Sequence, residues 1–199
     1  MARPKGNHEE RRGDVAEAVW QVLASDGFNG LTIRAIAHRL QATTGVVTHY
    51  FRSKREIVSY ALDLLEKRSA SRLRTPAAEG LAALRSAAMD MLPLDADSTT
   101  ANRVWISSWD HALADAQFQR DHARRYADGV EHLAQLIRVA QGRGELVAGD
   151  AQAMATEVHS FALGLIVQAV LDPAEYPADR QIALLDGYLG RLARTSEIR

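Results

Sequence analysis

A run of small, hydrogen-bonding side chains lies near the N-terminus, in the stretch Thr43-Thr44-Gly45-Val46-Val47-Thr48-His49. Hydroxyl and imidazole groups form the hydrogen bonds that base edges and phosphate oxygens offer, and a valine can contact a thymine methyl. On a helix, Thr44 and Thr48 lie one turn apart, and Gly45 permits close approach of the backbone. These residue types at this spacing fit a DNA major groove.

Two short helices joined by a tight turn are predicted to position this run. Apolar residues recur at i, i+3, i+4 and i+7 before it, which predicts a helix that Thr32 caps. Gln41 and Ala42 form the turn, and Thr43 is placed to cap a second helix from Thr44 to about Tyr50. The second helix buries Val47, Tyr50 and Phe51. The pattern is a helix-turn-helix.

A third helix start follows at once, with positive charge at its entry. Ser53-Lys-Arg-Glu56 predicts a capping box, in which the Ser and Glu side chains satisfy free backbone N–H groups. Those N–H groups and the positive end of the helix favour a phosphate. Lys54, and less strongly Arg52, are therefore predicted to contact the DNA backbone and to position the protein without reading sequence.

Residues 10–60 resemble the DNA-binding head of the TetR family of bacterial regulators. His49-Tyr50-Phe51 and Ser53-Lys54 match the family's pattern residue for residue. Gln41 replaces the family's turn glycine, so a residue with a Cβ has to adopt the left-handed conformation. Thr48 stands where the family often has a DNA-facing tyrosine. The resemblance implies an all-α homodimer that binds an operator and a small molecule.

The predicted DNA-binding set combines the helix-turn-helix and the next helix start. It comprises Thr32, Thr43, Thr44, Gly45, Val46, Thr48, His49, Tyr50 and Lys54. Arg3, Lys5, Arg11 and Arg12 form either an arm into the minor groove or a solubilising tail. Lys67, Arg68, Arg72 and Arg74 are interpreted as a solvated helix face, the usual meaning of a charge run.

Charge is distributed unevenly over the 199 residues. Residues 1–74 hold 13 Lys/Arg against 8 Asp/Glu, whereas residues 75–199 hold 11 against 17. A basic head and an acidic body suit a molecule that presents one end to phosphates. The chain has no cysteine, no uninterrupted apolar run of membrane-spanning length and no secretory signal. These features predict a cytoplasmic protein without a membrane partner.

Hydrophobic periodicity predicts an all-α fold of about nine helices, with no strand. A three-helix DNA-binding domain is expected at residues 1–52. A ligand-binding and dimerisation domain is expected at 53–199, with the fourth helix linking the two. Asp95–Thr100 is predicted as a loop, and the sixth helix is predicted to continue to about Ala114.

Aromatic and Met residues of the body suggest a small-molecule cavity, although ordinary core packing explains them equally well. Trp105 and Trp109 are expected at i and i+4 on one helix. The predicted ligand-binding set is Met89, Trp105, Trp109, Phe118, Met154 and His159, with His159 favoured as a core residue. Tryptophan faces and acidic surroundings predict a hydrophobic, neutral or cationic effector.

The last two helices are apolar around much of their circumference, which places them centrally in a bundle or at an interface. This segment resembles the C-terminal dimer domain of the BetI-type subgroup, although choline as effector does not follow from that. The predicted dimer interface comprises Gly164, Val167, Leu171, Leu185 and Leu189.

Catalysis has little support in the sequence. No cysteine, no i, i+4 histidine pair within one helix and no nucleotide-binding motif is present, so no metal, cofactor or enzyme activity is predicted. The sequence predicts a transcriptional regulator, a repressor released by a small molecule. The alternative is a helical ligand-binding module that acts through protein partners and carries a vestigial DNA-binding head.

Overall fold

A computed structural model describes residues 6–70 and 79–194, except for the side chains of 6–12, 54, 65, 66, 69, 70 and 194. Arg3, Lys5 and the side chains of Arg11, Arg12 and Lys54 therefore lie outside the described residues, as do Arg72 and Arg74. The described helices are α1 (Gly6–Gly30), α2 (Ile33–Arg39), α3 (Thr44–Tyr50), α4 (Lys54–Ala70), α5 (Leu81–Met91), α6 (Ala96–Ser107), α7 (Trp109–Ala114), α8 (Ala116–Gly142), α9 (Ala151–Leu171) and α10 (Ala178–Arg194).

The first of two compact units comprises the described parts of Met1–Ser71 and Arg103–Ala114. Its core is formed by fully buried side chains from four helices and the turn before α2, namely Val19, Val22, Phe28, Leu31, Ile36, Val47 and Ile57. Gly27 interrupts α1 at a φ of 62°, a conformation that glycine adopts without strain. The Phe28 N–H then donates to Ser107 Oγ at 3.4 Å, and the Phe28 ring lies 5.7 Å from that of His111.

The second unit comprises the described parts of Arg72–Asn102 and Asp115–Arg199. Helices α5, α8, α9 and α10 pack around Leu84, Ile137, Ala155, Val158, Ala162 and Leu185, all fully buried. Asp115 and Asp150 cap α8 and α9 through their carboxylates. Gly80 precedes α5 at a φ of 66°, which presents the Leu81 N–H to Glu145 Oε2 at 2.6 Å.

Two predicted boundaries in the middle of the chain are wrong. Asp95–Thr100 is the first turn of α6, because Asp95 Oδ1 accepts from the Ser98 N–H at 2.7 Å and Ser98 Oγ accepts from the Asp95 N–H at 3.0 Å. This reciprocal pair acts as a helix cap. The helix predicted to reach Ala114 is interrupted at Ser108, where α6 ends and α7 begins. The described residues therefore form ten helical segments and no strand.

The most apolar helix is α9. By length and composition alone it is able to cross a membrane, a test that core helices also pass. Only 39% of its most apolar 18-residue window is buried within the chain. The exposed residues of α9 are mainly polar or small, and Leu171 is the large apolar residue among them.

Candidate functional site

The helix-turn-helix forms with the predicted boundaries. The Thr32 hydroxyl accepts a hydrogen bond from the Ala35 N–H at 3.1 Å and so caps α2. In the turn, Gln41 adopts a φ of 51°, which confirms the left-handed conformation predicted for this residue. The Ala42 N–H donates to the Ala37 carbonyl at 3.0 Å, which closes the end of α2.

The α3 outer face consists of exposed residues, as predicted: Thr43, Thr44, Gly45, Val46, Thr48 and His49. Val47 on the opposite side is fully buried and anchors the helix in the core. A Cβ built on Gly45 would meet only Thr43 Oγ1, at 3.6 Å, so the fold itself does not require glycine there. Thr48 Oγ1 donates to the Gly45 carbonyl at 3.1 Å, which leaves the hydroxyl oxygen as an acceptor.

Two residues of this helix differ from the prediction. Thr43 occupies the N-cap position but its side chain makes no cap hydrogen bond, so its hydroxyl is left for another partner. Tyr50, predicted mainly as a core ring, is half-buried, and its ring packs edge-on against that of the exposed His49, with centroids 5.5 Å apart. Phe51 is buried as predicted and packs against Tyr60.

The start of α4 carries the predicted capping box. Ser53 Oγ accepts from the Glu56 N–H at 3.2 Å, and Glu56 Oε2 accepts from the Arg52 N–H at 2.7 Å. In the usual capping box the Glu56 carboxylate would accept from the N–H of the cap residue Ser53, and here it accepts from the N–H of the preceding residue, Arg52. These contacts fix the backbone of Lys54 at the first position of α4, directly after the α3 outer face.

Family comparisons agree with this geometry. The model of bacterial regulatory proteins of the tetR family matches residues 16–61, which cover the helix-turn-helix and the start of α4. The BetI-type transcriptional repressor C-terminal model matches residues 80–194, more than half of the chain. The chain belongs to the TetR family of transcriptional regulators. Its body is of the BetI type.

Several relatives share most of this regulator's length. The chain is 25% identical over 179 residues to the HTH-type transcriptional regulator PksA of Bacillus subtilis, covering 87% of this chain and 85% of that protein. It is 22% identical over 192 residues to the regulator BetI of Vibrio parahaemolyticus, covering 94% of each.

Solved structures share the fold of this TetR-family chain. A transcriptional regulator from Rhodococcus superposes with a TM-score of 0.81 at 23% identity, covering 92% of this chain and 96% of that one. A regulator from Saccharomonospora viridis, in complex with choline, has the same TM-score and coverage at 22% identity.

The six predicted effector residues fall in both compact units. Trp105 and Trp109 belong to the first, and Met89, Phe118, Met154 and His159 to the second. The expectation that the tryptophans share one uninterrupted helix is wrong. Ser108 Oγ donates to the Trp105 carbonyl at 2.6 Å where the helix ends, and Trp109 begins α7. A hydroxyl bonding to the local backbone competes with a continuous helix.

Within the second unit, Met89, Phe118 and Met154 are buried and His159 is half-buried. The His159 ring packs edge-on against Tyr126, with centroids 5.5 Å apart. Burial lowers the pKa of His159, so its imidazole is neutral at neutral pH. An uncharged histidine among apolar side chains fits either core packing or a hydrophobic ligand.

The predicted dimer residues divide into two classes. Gly164 and Leu171 are exposed and Val167 is half-buried, so these three are accessible to a partner. Leu185 and Leu189 are only 0% and 3% exposed, because they point into the chain's own core. Assigning these two leucines to the interface was therefore wrong.

A groove of about 360 Å³ lies between α9 and α10 on the accessible side, and none of the six predicted effector residues lines it. Its lining is Ser160, Phe161, Gly164, Leu165, Gln168, Tyr176, Arg180 and Leu184. Phe161 stacks on Tyr188 at 4.4 Å between centroids, and the Tyr176 hydroxyl donates to Gln168. The sequence prediction included only Gly164 from this groove. The groove could have been predicted from the apolar residues Phe161 on α9 and Leu184 on α10, which flank it.

Proposed function

We propose that this TetR-family regulator is a repressor that binds a palindromic operator as a homodimer and is released by a small molecule. The observation that carries the proposal is the α3 outer face. Six residues with small or polar side chains, at positions 43–46, 48 and 49, are exposed there. On the opposite side of the helix, Val47 is buried in the core. In this proposal the protein binds DNA and a small molecule without catalysing a reaction, and it acts in the cytoplasm, where the DNA is.

The chemistry of the α3 outer face supports direct contact with base edges. Gly45 has no role inside the protein that alanine could not fill, which supports a role in approach to DNA. The Thr48 hydroxyl oxygen is an acceptor in this conformation and suits an amino group of adenine or cytosine. Val46, 42% exposed, suits a thymine methyl.

The start of α4 supplies the backbone contact in this proposal. Free N–H groups and the helix dipole favour a phosphate there, and Lys54 adds a positive charge. Thr32, at the start of α2, and Tyr50 extend the contact to both ends of the helix-turn-helix. Phosphate contacts position the protein, and the α3 outer face reads the sequence.

Binding to the DNA that flanks the protein's own gene tests the proposal. Lys54→Ala should weaken binding to every DNA sequence and lower the salt slope by about one unit. Thr44→Ala and Thr48→Ala should instead change the sequence preference, because they remove base contacts. A parent protein that is folded and dimeric but shows no salt-dependent gel shift would favour a regulator acting through protein partners.

The proposed homodimer forms through the accessible side of α9. Its outer face, defined as Ser160, Gly164, Val167, Gln168 and Leu171, adjoins the α9–α10 groove. A second copy that covers this face buries its apolar surface and pairs two DNA-binding heads. Two heads about 34–36 Å apart enter successive major grooves. Sedimentation of the unmutated protein as a monomer at micromolar concentration would contradict the homodimer.

The effector is proposed to contact Trp109. Its indole Nε1 is buried and has no hydrogen-bond partner among the described residues, which costs free energy unless an acceptor is supplied. A mostly hydrophobic, neutral or cationic molecule that carries one hydrogen-bond acceptor satisfies both the nitrogen and the aromatic face. The choline found in the Saccharomonospora viridis regulator meets this description and is the first compound to test.

Fluorescence and DNA binding measured together test the effector site. Choline, or another effector found in a screen, should quench tryptophan emission and lower DNA affinity by about 5–150-fold, the usual span of allosteric coupling. Trp109→Ala should keep DNA binding and lose that response. A variant that responds as the parent does would show that Trp109 only packs the core.

A further inference from the structure

Arg68, near the end of α4, links that helix to α1. Its Nη2 lies 2.6 Å from Glu17 Oε2, and its guanidinium carbon lies 4.5 Å from the centroid of the Trp20 ring. Glu17 and Trp20 are three residues apart on α1 and face the same partner. One guanidinium thus pairs with a carboxylate and lies over an aromatic ring, a combination for which arginine is better suited than lysine.

The Glu17 carboxylate is held in place from both sides. Its Oε1 accepts from Gln21 Nε2 at 3.3 Å, one helical turn further along α1, while Oε2 accepts from Arg68. The Arg68 side chain is 38% exposed, so part of the guanidinium is removed from water. Arg68 belongs to the charge run that the sequence indicated to be a solvated helix face, and its contacts with Glu17 and Trp20 were not predicted.

The two ends of α4 are held by different means. Ile57, Val58, Ala61 and Leu62 are buried in the first two turns, and the capping box fixes the start. Further along α4, among the described side chains, Arg68 contacts α1 through Glu17 and Trp20. Arg68 lies about 21 Å along the helix from Lys54, so a small tilt at this end redirects the phosphate-binding end.

We propose that Arg68, with Glu17 and Trp20, is a positioning residue for DNA binding: it fixes α4 against α1 and thereby sets the direction of the Lys54 helix start. Arg68 does not need to touch DNA for this role. The proposal rests on the proposed function only in that α4 presents Lys54 to a phosphate.

Glu17→Gln separates this role from simple electrostatics. Removing a negative charge from a DNA-binding head strengthens DNA binding if only charge matters. The positioning role requires the opposite result, a loss of about three- to tenfold in affinity for the labelled DNA flanking the gene, with an unchanged salt slope. Arg68→Gln should give a similar loss, and the double variant should be no weaker than either single one.

The matched control is a surface pair on α8. Glu131 accepts from Arg138 at 3.1 Å and from Gln135 at 3.4 Å, with exposures close to those of the α1–α4 pair, but all three residues lie on one helix. Glu131→Gln and Arg138→Gln should leave DNA affinity unchanged. A Glu17→Gln protein that binds as tightly as the parent, or an Arg68→Gln protein with a salt slope lower by about one unit, would overturn the positioning role.

Hydrogen exchange on the DNA-free protein tests the same cluster independently of DNA binding. In Glu17→Gln and Arg68→Gln, the amides of residues 62–68 should exchange at least about threefold faster, while those of 54–60 stay at the parent rate. Unchanged exchange at 62–68 would overturn the proposal. If the parent fails to bind DNA while exchange in the variants is altered as expected, the proposed function is contradicted. The cluster would then fix α4 without serving DNA binding.

Discussion

The outer faces of α3 and α9 are both exposed, and they differ in the kind of surface they present. The α3 outer face carries threonine hydroxyls and an imidazole, which water solvates well when no partner is bound. The α9 outer face combines the polar Ser160 and Gln168 with Gly164 and two apolar residues, the half-buried Val167 and Leu171, which is 76% exposed. A polar face can bind and release its partner at little solvation cost, whereas an apolar face favours a permanent one.

This difference explains why the proposed DNA contact is the reversible one. A homodimer that keeps α9 covered while α3 exchanges between DNA and water uses each surface as its chemistry favours.

The largest expected effect separates the interface from the core behind it. Leu185→Ala should lower the free energy of unfolding by about 2–5 kcal/mol, because the side chain is fully buried within its own chain. Leu184→Ala, one residue away and 38% exposed, should cost less than about 1 kcal/mol. Chemical denaturation at one fixed protein concentration measures both. A Leu185→Ala protein that is fully stable yet monomeric would return Leu185 to the interface.

Placing a charge on the α9 outer face should break the dimer without unfolding the chain. A Cβ at Gly164 meets no atom within 4 Å, so Gly164→Glu fits the isolated chain. In the dimer it buries an unpaired carboxylate and should raise the dissociation constant by about 100-fold or more, as sedimentation would show. Gly142→Glu is the control, since that site is equally open at the end of α8. Equal dissociation constants for the two variants would show that the dimer interface does not include the α9 outer face.

A methyl group on the α3 outer face should have opposite effects on folding and DNA binding. Gly45→Ala should raise the free energy of unfolding by up to about 1 kcal/mol, since alanine favours helix. It should weaken DNA binding by about tenfold, because the methyl group occupies space that the DNA approaches. Gly13→Ala, also open and helical, should give the gain in stability without the loss in binding. Unchanged DNA binding in Gly45→Ala would place α3 outside the groove.

Acid should weaken the second unit gradually. Burial lowers the pKa of His122, and Nδ1 lies 3.0 Å from the Phe118 carbonyl. The unfolded chain therefore binds the proton more readily. The stabilisation is complete above pH about 6.5 and is lost as the pH falls toward the folded pKa, by at most about 1.4 kcal/mol per pH unit. His122→Gln should flatten the dependence of unfolding on pH between 7 and 5, and His132→Gln, at an exposed site on the same helix, should not. If the free energy of unfolding depends on pH equally in the two variants, His122 is not the source of the loss of stability in acid.

Local patterns determined the helix-turn-helix. The spacing of apolar residues, the Thr32 cap and the Ser53–Glu56 box each involve residues within four positions of one another, so their geometry follows from the order of side chains. The left-handed conformation of Gln41 was predictable from the TetR resemblance, because the family usually has a glycine at this turn position. The BetI-type body was also recognisable from its two apolar helices, although not which of their sides faces inward.

Tertiary packing decided the rest. Leu184 and Leu185 are equally apolar, and only the position of the neighbouring helices buries one and exposes the other. Arg68 meets Glu17 across 51 positions of chain, a separation at which no local pattern exists. Periodicity determines that a helix has an apolar or a charged side, but what covers that side depends on which distant residues the fold brings to it.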